Sequence, residues 1–358
     1  MIEECAQDSR VAQNILSVFP DIHPEIIDEL KIEKAKCADF DKSTLILANN
    51  KGKFLRLCPG TKEYLCCLYN FLNIGSNCPI ECTYCILQAY LDCRALIIYV
   101  NQDELFKELD RTIKSDPNLI RIGTGELTDS LALDPLSGIS EGLITFFSGQ
   151  KQAFLELKTK SNHIDHLLQC EMFDQIIMSW SLNPQTIVEE EEHGAASIEE
   201  RLRAARKCQQ MGIKIGFHFD PILLYHGWEE AYHELIRTLC DYIDISRTVW
   251  ISMGCFRFMP HLKPIIQKRF PQSMIIYQEF IPGLDHKMRY LQPMRIKAYQ
   301  SMASWIWQQS KEAFIYLCME SPIVWKEALG YAPKDNETLK SWLDRRCYLH
   351  TIIDNFPK

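Results

Sequence analysis

The stretch YNFLNIGSNCPIECTYC, residues 69–85, joins an apolar run to three closely spaced cysteines. The run at 69–75 is rich in aromatic and aliphatic side chains, which is typical of a buried strand. Cys78, Cys82 and Cys85 follow it directly and precede a helical pattern. The sequence therefore predicts a strand, a cysteine loop and a helix, the first unit of an alternating α/β fold.

Strand and helix patterns keep alternating as far as residue 254. Five further apolar runs follow the first: LIRIGTG (119–125), AFLELKT (153–159), QIIMSWSLN (175–183), IKIGFHFDP (213–221) and TVWISMG (248–254). Amphipathic helical patterns lie between them, such as QDELFKELDRTIKS (102–115) and SIEERLRAARKCQQMG (197–212). Six strand–helix units are fewer than the eight of a closed barrel, so we predict an α/β fold with a partial (β/α)6 TIM-type barrel. A doubly wound sheet is the alternative, and in both folds ligands bind at the C-terminal ends of the strands.

Three segments are predicted along the chain. Residues 1–66 form an N-terminal extension, with a helix near 24–36 and a strand in STLILAN (43–49). Residues 67–272 form the partial barrel. Residues 273–358 form a C-terminal region, in which MIIYQEFIPGLDHKMRYL (274–291) reads as a hairpin around Pro282 and Gly283 and helices follow.

Composition narrows the class of protein. The chain has 15 cysteines and begins with the polar segment MIEECAQDSRVAQ, which predicts no signal peptide and a cytoplasmic, reducing location. No apolar run reaches the roughly 18–20 residues that a membrane span needs, so no membrane is expected as a partner. The net charge of −8 argues against a dedicated, highly basic nucleic-acid binder. A local basic groove stays open, with a solvated face as the alternative, and its candidates are Lys263, Lys268, Arg269, Lys287 and Arg289.

The three clustered cysteines indicate a metal centre. Thiolates bind zinc or iron–sulfur clusters, and a structural zinc site would need a fourth ligand from elsewhere in the chain. A four-iron cluster held by Cys78, Cys82 and Cys85 would leave one iron free to bind a small molecule. The spacing alone leaves a cluster, a zinc site and coincidence open.

The C-x3-C-x2-C spacing, with Tyr84 before the last cysteine, resembles the signature of the radical SAM superfamily, and GTGE (123–126) resembles its glycine-rich motif. The closer similarity, over about residues 68–270, is to the spore photoproduct lyase family. The segments that carry it, in order, are CTYCILQAYL (82–91), VNQDELF (100–106), TDSLALD (128–134), KTKSNHIDHLL (158–168), SWSLN (179–183) and DPILLYHGWEEAY (220–232). The resemblance implies a partial barrel of the radical SAM type with N- and C-terminal extensions.

The resemblance also implies roles for individual residues. Cys78, Cys82 and Cys85 would hold a [4Fe–4S] cluster, and Tyr84 would lie against the adenine of S-adenosyl-L-methionine (AdoMet). Further contacts to AdoMet would come from Gly123, Gly125, Glu126, Thr128, Lys160, Ser181 and Asn183, with Glu126 binding the amino group. Arg289 and Tyr290 lie where the family has a hairpin that wedges into damaged DNA. His218 and Asp220, at the end of the fifth run, are candidates for the substrate pocket.

The chemistry implied is that of a carbon–carbon lyase in DNA repair. In the family, one electron from the reduced cluster cleaves AdoMet to a 5′-deoxyadenosyl radical, which abstracts hydrogen from a thymine lesion. The implied partners are damaged DNA and an electron donor of the flavodoxin or ferredoxin type. The cofactor carries the radical chemistry, while the protein binds and orients the reactants.

This chain departs from the family at two positions. Glu126 aligns with the cysteine that returns hydrogen to the product radical, and Ile86 replaces a relay tyrosine, although Tyr84 remains. Tyr84 and Cys93 are therefore the catalytic candidates, with Cys255 and Cys318 as other possible thiols. These departures keep two alternatives open: a radical SAM enzyme acting on RNA, a peptide or a small molecule, and a non-catalytic iron–sulfur or zinc protein.

Overall fold

The structure is a computed structural model that describes residues 1–27, 40–118, 120–170 and 173–348. Its strands, in chain order, are β1 (Ile2–Glu3), β2 (Ile26–Ile27), β3 (Leu45–Ala48), β4 (Leu55–Leu57), β5 (Asn70–Leu72), β6 (Gly75–Ser76), β7 (Glu81–Cys82), β8 (Leu96–Tyr99), β9 (Arg121–Gly123), β10 (Phe154–Thr159), β11 (Ile176–Ser181), β12 (Glu192–His193), β13 (Lys214–Ile222), β14 (Thr248–Cys255), β15 (Arg257–Phe258), β16 (Ile281–Pro282), β17 (Met288–Arg289) and β18 (Ile315–Leu317). Its α-helices are α1 (Arg10–Val18), α2 (Leu87–Tyr90), α3 (Gln102–Ser115), α4 (Asp134–Ser137), α5 (Ile139–Ser148), α6 (Gln185–Glu191), α7 (Ile198–Gln210), α8 (Trp228–Tyr242), α9 (Leu262–Arg269), α10 (Gln292–Gln309), α11 (Pro322–Leu329) and α12 (Asn336–Cys347). Short 3-10 helices cover Glu4–Ala6, Leu167–Gln169 and Ile245–Arg247.

A curled eight-stranded sheet forms the centre of the molecule, in the order β18-β14-β13-β11-β10-β9-β5-β4. Within this sheet, the seven strands β5, β9, β10, β11, β13, β14 and β18 pair in parallel, and β4 pairs antiparallel with β5 at one edge. All six predicted runs are strands of this sheet, namely β5, β9, β10, β11, β13 and β14. The predicted partial barrel is therefore confirmed, and the doubly wound alternative is not needed.

Helices cover one face of the sheet, and polar side chains fill part of the other. Helices α5 and α7 pack against β10, β11 and β13, and α7 begins with a capping box between Ser197 and Glu200. Because side chains alternate along a strand, every second residue points into the curl of the barrel. Glu156, Ser179 and His218 lie there on three neighbouring strands, and both Ser179 and His218 hydrogen-bond to Glu156.

Smaller sheets extend the barrel at both ends of the chain. One has the order β2-β1-β3-β8-β6, and another joins β15, β17 and β16. The predicted strand at 43–49 is β3, and the predicted hairpin is β16 with β17. The barrel sheet also takes in β4 and β18, which lie outside residues 67–272, so the predicted three-segment division stays a prediction.

The helix predicted near residues 24–36 falls largely on residues 28–39, which lie outside the described part of the chain. Its described residues Ile26 and Ile27 form β2 instead, where they pair with β1 in the smaller sheet. In the ranges that the structure describes, no helix is both long and apolar enough to cross a membrane.

Candidate active site

The cysteine loop is held at its start by a side-chain hydrogen bond and farther along by strand pairing. At its start, Asn77 adopts a left-handed conformation with φ of 69° and donates a hydrogen bond to the carbonyl of Arg94. Farther along, β7 pairs with β12, which places Cys82 opposite Glu192. Asparagine tolerates the left-handed region better than most residues, which explains why it stands where the chain turns into the loop.

Cys78, Cys82 and Cys85 line a single cavity of about 310 Å³. Burial raises the pKa of the Cys82 thiol to about 12, against the opposing charge of Lys160, and burial likewise raises the pKa of Cys78. Within the described ranges, no three cysteine, histidine or acidic side chains converge tightly enough to surround one metal ion. The three thiols instead face one space from a single loop, which suits a four-iron cluster because each thiolate binds a different iron.

Tyr84 lines the same cavity, and a residue outside the cavity lining fixes its hydroxyl. The phenol donates a short hydrogen bond to the buried carboxylate of Glu192. The Lys160 ammonium lies 5.7 Å from the centre of the Tyr84 ring. Both contacts fix the ring in one orientation, as a stacking surface for a planar ligand requires.

Asn183 belongs to the support behind Tyr84 rather than to the cavity wall. Its side-chain nitrogen donates to Glu192 at 3.0 Å and to the Tyr84 hydroxyl at 3.3 Å, and its oxygen accepts from Tyr232 at 2.7 Å. Arg201 completes this buried network with a 2.6 Å ion pair to Glu192. Asn183 therefore does not line the cavity, and its predicted contact with AdoMet stays a prediction.

The glycine-rich segment brings the backbone against β10. A Cβ atom on Gly125 would lie 3.1 Å from both side-chain and backbone atoms of Lys158, so glycine lets the two segments approach closely. Gly123 lies behind the wall, where a Cβ would meet the Tyr69 ring at 3.0 Å. Of the two predicted glycines, only Gly125 lines the cavity.

Glu126 lines the cavity within a charged cluster. It accepts a short hydrogen bond from Tyr69 and forms a 3.3 Å ion pair with Lys158. Burial works against the charge of Lys158, but Glu126 and Glu156 raise the pKa of its ammonium above the ordinary value. An ammonium group of a ligand at Glu126 would therefore share the carboxylate with Lys158.

Three further predicted contacts line the cavity: Thr128, Lys160 and Ser181. Asp129, which the sequence analysis did not select, joins the segment of Thr128 to that of Lys160. One of its oxygens accepts from the Thr159 hydroxyl at 2.6 Å, and the other accepts from the Lys160 backbone at 2.7 Å. This carboxylate ties the glycine-rich segment to the end of β10.

Of the two candidate substrate residues on β13, only one lines the cavity. Asp220 lines the cavity and accepts two hydrogen bonds, both 3.1 Å long, from Arg257. His218 lies outside the cavity lining and contacts Glu156 at 2.7 Å. Burial alone would raise the pKa of Glu156, but His218 and Lys158 lower it to about 2.

Arg289 and Tyr290 are both buried, and neither lines the cavity. Arg289 donates to Asp285 at 2.8 Å and to the Met319 carbonyl at 3.0 Å, while the Tyr290 hydroxyl accepts from the Leu224 backbone. The structure therefore uses both side chains to hold the hairpin against the barrel rather than to expose them.

None of the candidate cysteines outside the loop lines the cavity. Cys93 is disulfide-bonded and packs in a small separate core with Ile46, Ala48, Ala95 and Ile97, so the prediction of a catalytic thiol at this position is wrong for this structure. Cys255 is buried at the end of β14. Cys318 accepts a hydrogen bond from Arg257 at 3.4 Å and stands beside the lining residue Met319.

Sequence reasoning missed several lining residues. Lys158 could have been selected together with Lys160, because alternation along an extended chain points both side chains to the same side where β10 ends. Arg257 also lines the cavity, as does Lys287, which the sequence suggested only as part of a basic groove. No local pattern places either residue in the cavity, because their positions depend on how β15 and the hairpin return to the barrel. The candidate basic groove does not form as one surface, since Arg269 pairs with Glu81 at 2.6 Å and Arg289 is buried.

Comparisons with known proteins agree with one another. A family model described as spore photoproduct lyase matches residues 31–287. The chain is 29% identical over 243 residues to a spore photoproduct lyase of Geobacillus sp. (strain Y412MC61), which covers 66% of this chain and 69% of the relative. It is 26% identical over 242 residues to that of Bacillus subtilis (strain 168), with 66% and 69% covered.

Solved structures share the fold. A spore photoproduct lyase double mutant with bound AdoMet and dinucleoside spore photoproduct superimposes with a TM-score of 0.75 at 24% identity. The match covers 88% of this chain and 97% of that one. A spore photoproduct lyase complexed with dinucleoside spore photoproduct gives the same TM-score and coverage at 23% identity.

Proposed function

Because the chain belongs to the spore photoproduct lyase family, we propose that it is a radical SAM carbon–carbon lyase acting on a thymine lesion in DNA. The observation that carries the proposal is the convergence of most of the predicted cofactor contacts in one cavity. The three clustered thiols share that cavity with Tyr84, Glu126, Lys160 and Ser181, although these residues come from separate parts of the chain. Relatives that match this chain carry the name spore photoproduct lyase, and one solved member binds AdoMet and a dinucleoside spore photoproduct.

The residues present fit the cofactors of such an enzyme. Cys78, Cys82 and Cys85 would hold a [4Fe–4S] cluster, and the adjoining wall would hold AdoMet. When bound, the two supply a 5′-deoxyadenosyl radical, which abstracts hydrogen from the substrate. Tyr84 offers an immobilised aromatic face for the adenine, and the carboxylate of Glu126 offers an acceptor for the amino group.

The protein's further task is to orient the substrate and exclude competing reactants. Ile86 and Phe256 give the cavity an apolar wall, while Asp220 with Arg257 and Glu126 with Lys158 give it two ion pairs. An apolar wall without exchangeable hydrogens does not quench a carbon radical through O–H or S–H groups. The ion pairs supply hydrogen-bonding groups for the edges of a nucleobase.

The test is anaerobic reconstitution with iron and sulfide, followed by dithionite, AdoMet and DNA that contains spore photoproduct. We expect lesion-dependent release of thymine together with 5′-deoxyadenosine, both measured by mass spectrometry. Undamaged DNA of the same sequence is the matched control. Deoxyadenosine without thymine release would contradict the proposed substrate, and the absence of both products from a protein with an intact cluster would favour a non-catalytic role.

A second candidate is a radical SAM enzyme of this family with another substrate, such as RNA, a peptide or a small molecule. The observation that favours it is the ion pair between Glu126 and Lys158 at the position where the family has its hydrogen-donating cysteine. A carboxylate has no hydrogen atom to return to a carbon radical, so a different product radical would be processed there. A flavodoxin- or ferredoxin-type electron donor and a cytoplasmic location remain predictions under either candidate.

A further inference from the structure

Lys287 and Arg257 are neighbouring cations in the cavity wall, and both side chains are 12% exposed. Lys287 stands just before β17 in the hairpin, and Arg257 begins β15. Burial, followed by the charge of Arg257, lowers the pKa of Lys287 below its ordinary value, against the opposing charge of Asp285. This lysine is therefore a desolvated cation with a second cation beside it.

The carboxylates near the two cations are already engaged. Asp220 accepts both terminal nitrogens of Arg257 at 3.1 Å. Asp285 accepts from the Nε and Nη2 atoms of Arg289, at 3.2 and 2.8 Å. These contacts set three cations against two carboxylates, which leaves one positive charge in excess at this part of the wall.

Of these three cations, Lys287 has the longest contact to a carboxylate. Its ammonium nitrogen lies 3.6 Å from the Asp285 carboxylate and 3.6 Å from the Met319 sulfur. The Asp285 contact is longer than a hydrogen bond, and the acceptor of the one hydrogen bond is a thioether sulfur, which accepts weakly. An ammonium group carries three donors, and leaving most of them without a strong acceptor in a buried setting is costly. A group that enters the cavity with anionic oxygens would supply the missing acceptors.

We propose that Lys287, with Arg257 beside it, binds an anionic oxygen group of the substrate, and that this group is the phosphodiester between the two nucleosides of the lesion. The inference rests on the proposed function, because adjacent thymidines in a DNA strand are joined by such a phosphate. A lysine suits this task as a mobile point charge, whereas the Arg257 fork is already committed to Asp220. The carboxylate of AdoMet is the other source of the same chemistry.

The experiment compares two ligands that differ only in the phosphate, dinucleotide spore photoproduct and dinucleoside spore photoproduct. Dissociation constants are measured by calorimetry on the reconstituted, AdoMet-bound protein. We expect the wild type to bind the dinucleotide more tightly, and Lys287→Met to reduce that preference about tenfold, in line with the loss of a charged hydrogen bond. Lys287→Arg should retain the preference for the dinucleotide because it keeps the charge. The control Lys326→Met, on the exposed surface of α11, should leave the preference unchanged.

Two further arms separate the possible sources of the anion. AdoMet affinity is expected to be the same in the wild type and in Lys287→Met. A weaker AdoMet affinity with an unchanged phosphate preference would assign the site to the AdoMet carboxylate and overturn the proposal. An unchanged preference with unchanged AdoMet affinity would also overturn it.

Inorganic phosphate provides an arm that does not depend on the lesion. We expect phosphate to stabilise the wild type and Lys287→Arg against thermal unfolding more than it stabilises Lys287→Met. If neither the dinucleotide nor the dinucleoside lesion binds but phosphate binding depends on Lys287, the result would contradict the proposed function and support the anion site. Lesion binding without any dependence on Lys287 in either assay would contradict the anion site alone.

Discussion

Tyr84 donates its phenolic hydrogen bond to Glu192, a buried residue that lies 108 positions farther along the chain. The other carboxylate oxygen of Glu192 accepts from Arg201, and neither side chain of that ion pair is exposed. The residue before the last cluster cysteine is therefore positioned by a strand and a helix from a later part of the barrel. This link makes the shape of the cavity depend on a charge pair outside it.

Replacement of Arg201 by Met should strongly destabilise the protein. The change leaves the carboxylate of Glu192 buried without its cation, which costs about 3–5 kcal/mol in proteins where one partner of a buried pair is removed. The free energy of unfolding from urea denaturation measures the effect. The matched control is Arg203→Met on the same helix, whose pair with Glu199 is largely exposed and should contribute little. Equal changes in the free energy of unfolding would show that the buried pair stabilises the protein no more than the exposed pair does.

Replacement of Glu126 by Gln should weaken AdoMet binding while sparing the cluster. The change keeps a side chain of the same size and removes the charge that would meet the amino group and that now pairs with Lys158. A charged hydrogen bond contributes about 1.5–3 kcal/mol, which corresponds to a loss of affinity of about 10- to 100-fold. Calorimetry measures AdoMet binding, and iron and sulfide analysis measures the cluster. An unchanged dissociation constant would refute the placement of the amino group at Glu126.

Replacement of Cys78, Cys82 or Cys85 by Ala should each abolish retention of a reconstituted cluster. Each thiol lines the cavity, and a three-thiolate cluster has no spare protein ligand. Bound iron, sulfide and visible absorbance measure retention. Cys240→Ala is the matched control, because Cys240 is a free thiol on α8 that does not line the cavity. A variant of the three that keeps a full cluster would show that its thiol is not a ligand.

The pair between Glu156 and His218 should make stability depend on pH in the acid range. The pKa of Glu156 in the folded protein is about 2, below the ordinary value of 4.5. The stabilising contribution of its carboxylate to the free energy of unfolding is therefore fully present above pH 4.5 and is lost as the pH falls toward 2. A shift of this size corresponds to about 2–4 kcal/mol. Urea denaturation at pH 5 and at pH 2.5 should show that the gap between the wild type and Glu156→Gln narrows at the lower pH. A gap that is equal at both pH values would contradict the assignment, and the exposed Glu234→Gln is the control.

Local patterns determined the elements of the barrel. Each of the six apolar runs from 69–75 to 248–254 contains a barrel strand, because a strand buried between helices and a polar interior needs a short apolar stretch bounded by turns. The spacing of Cys78, Cys82 and Cys85 likewise predicted a shared site, since a short loop cannot separate them widely. Gly125, Glu126, Thr128, Lys160, Ser181 and Asp220 could be placed at the same cavity because parallel strands end at one edge of the sheet.

Contacts between distant segments decided the rest. Asn183 and His218 stand at strand ends as the sequence suggested, yet Tyr84 and Glu156 occupy their hydrogen-bonding groups and keep them from the cavity surface. Arg289 is buried because Asp285 and the Met319 carbonyl satisfy its guanidinium. The sequence by itself determined which strands form and where they end, because those properties follow from the periodicity of neighbouring residues. Only the tertiary structure decided which polar groups find close partners and which, like Lys287, keep only longer contacts in the cavity wall, because that balance depends on segments that meet only after folding.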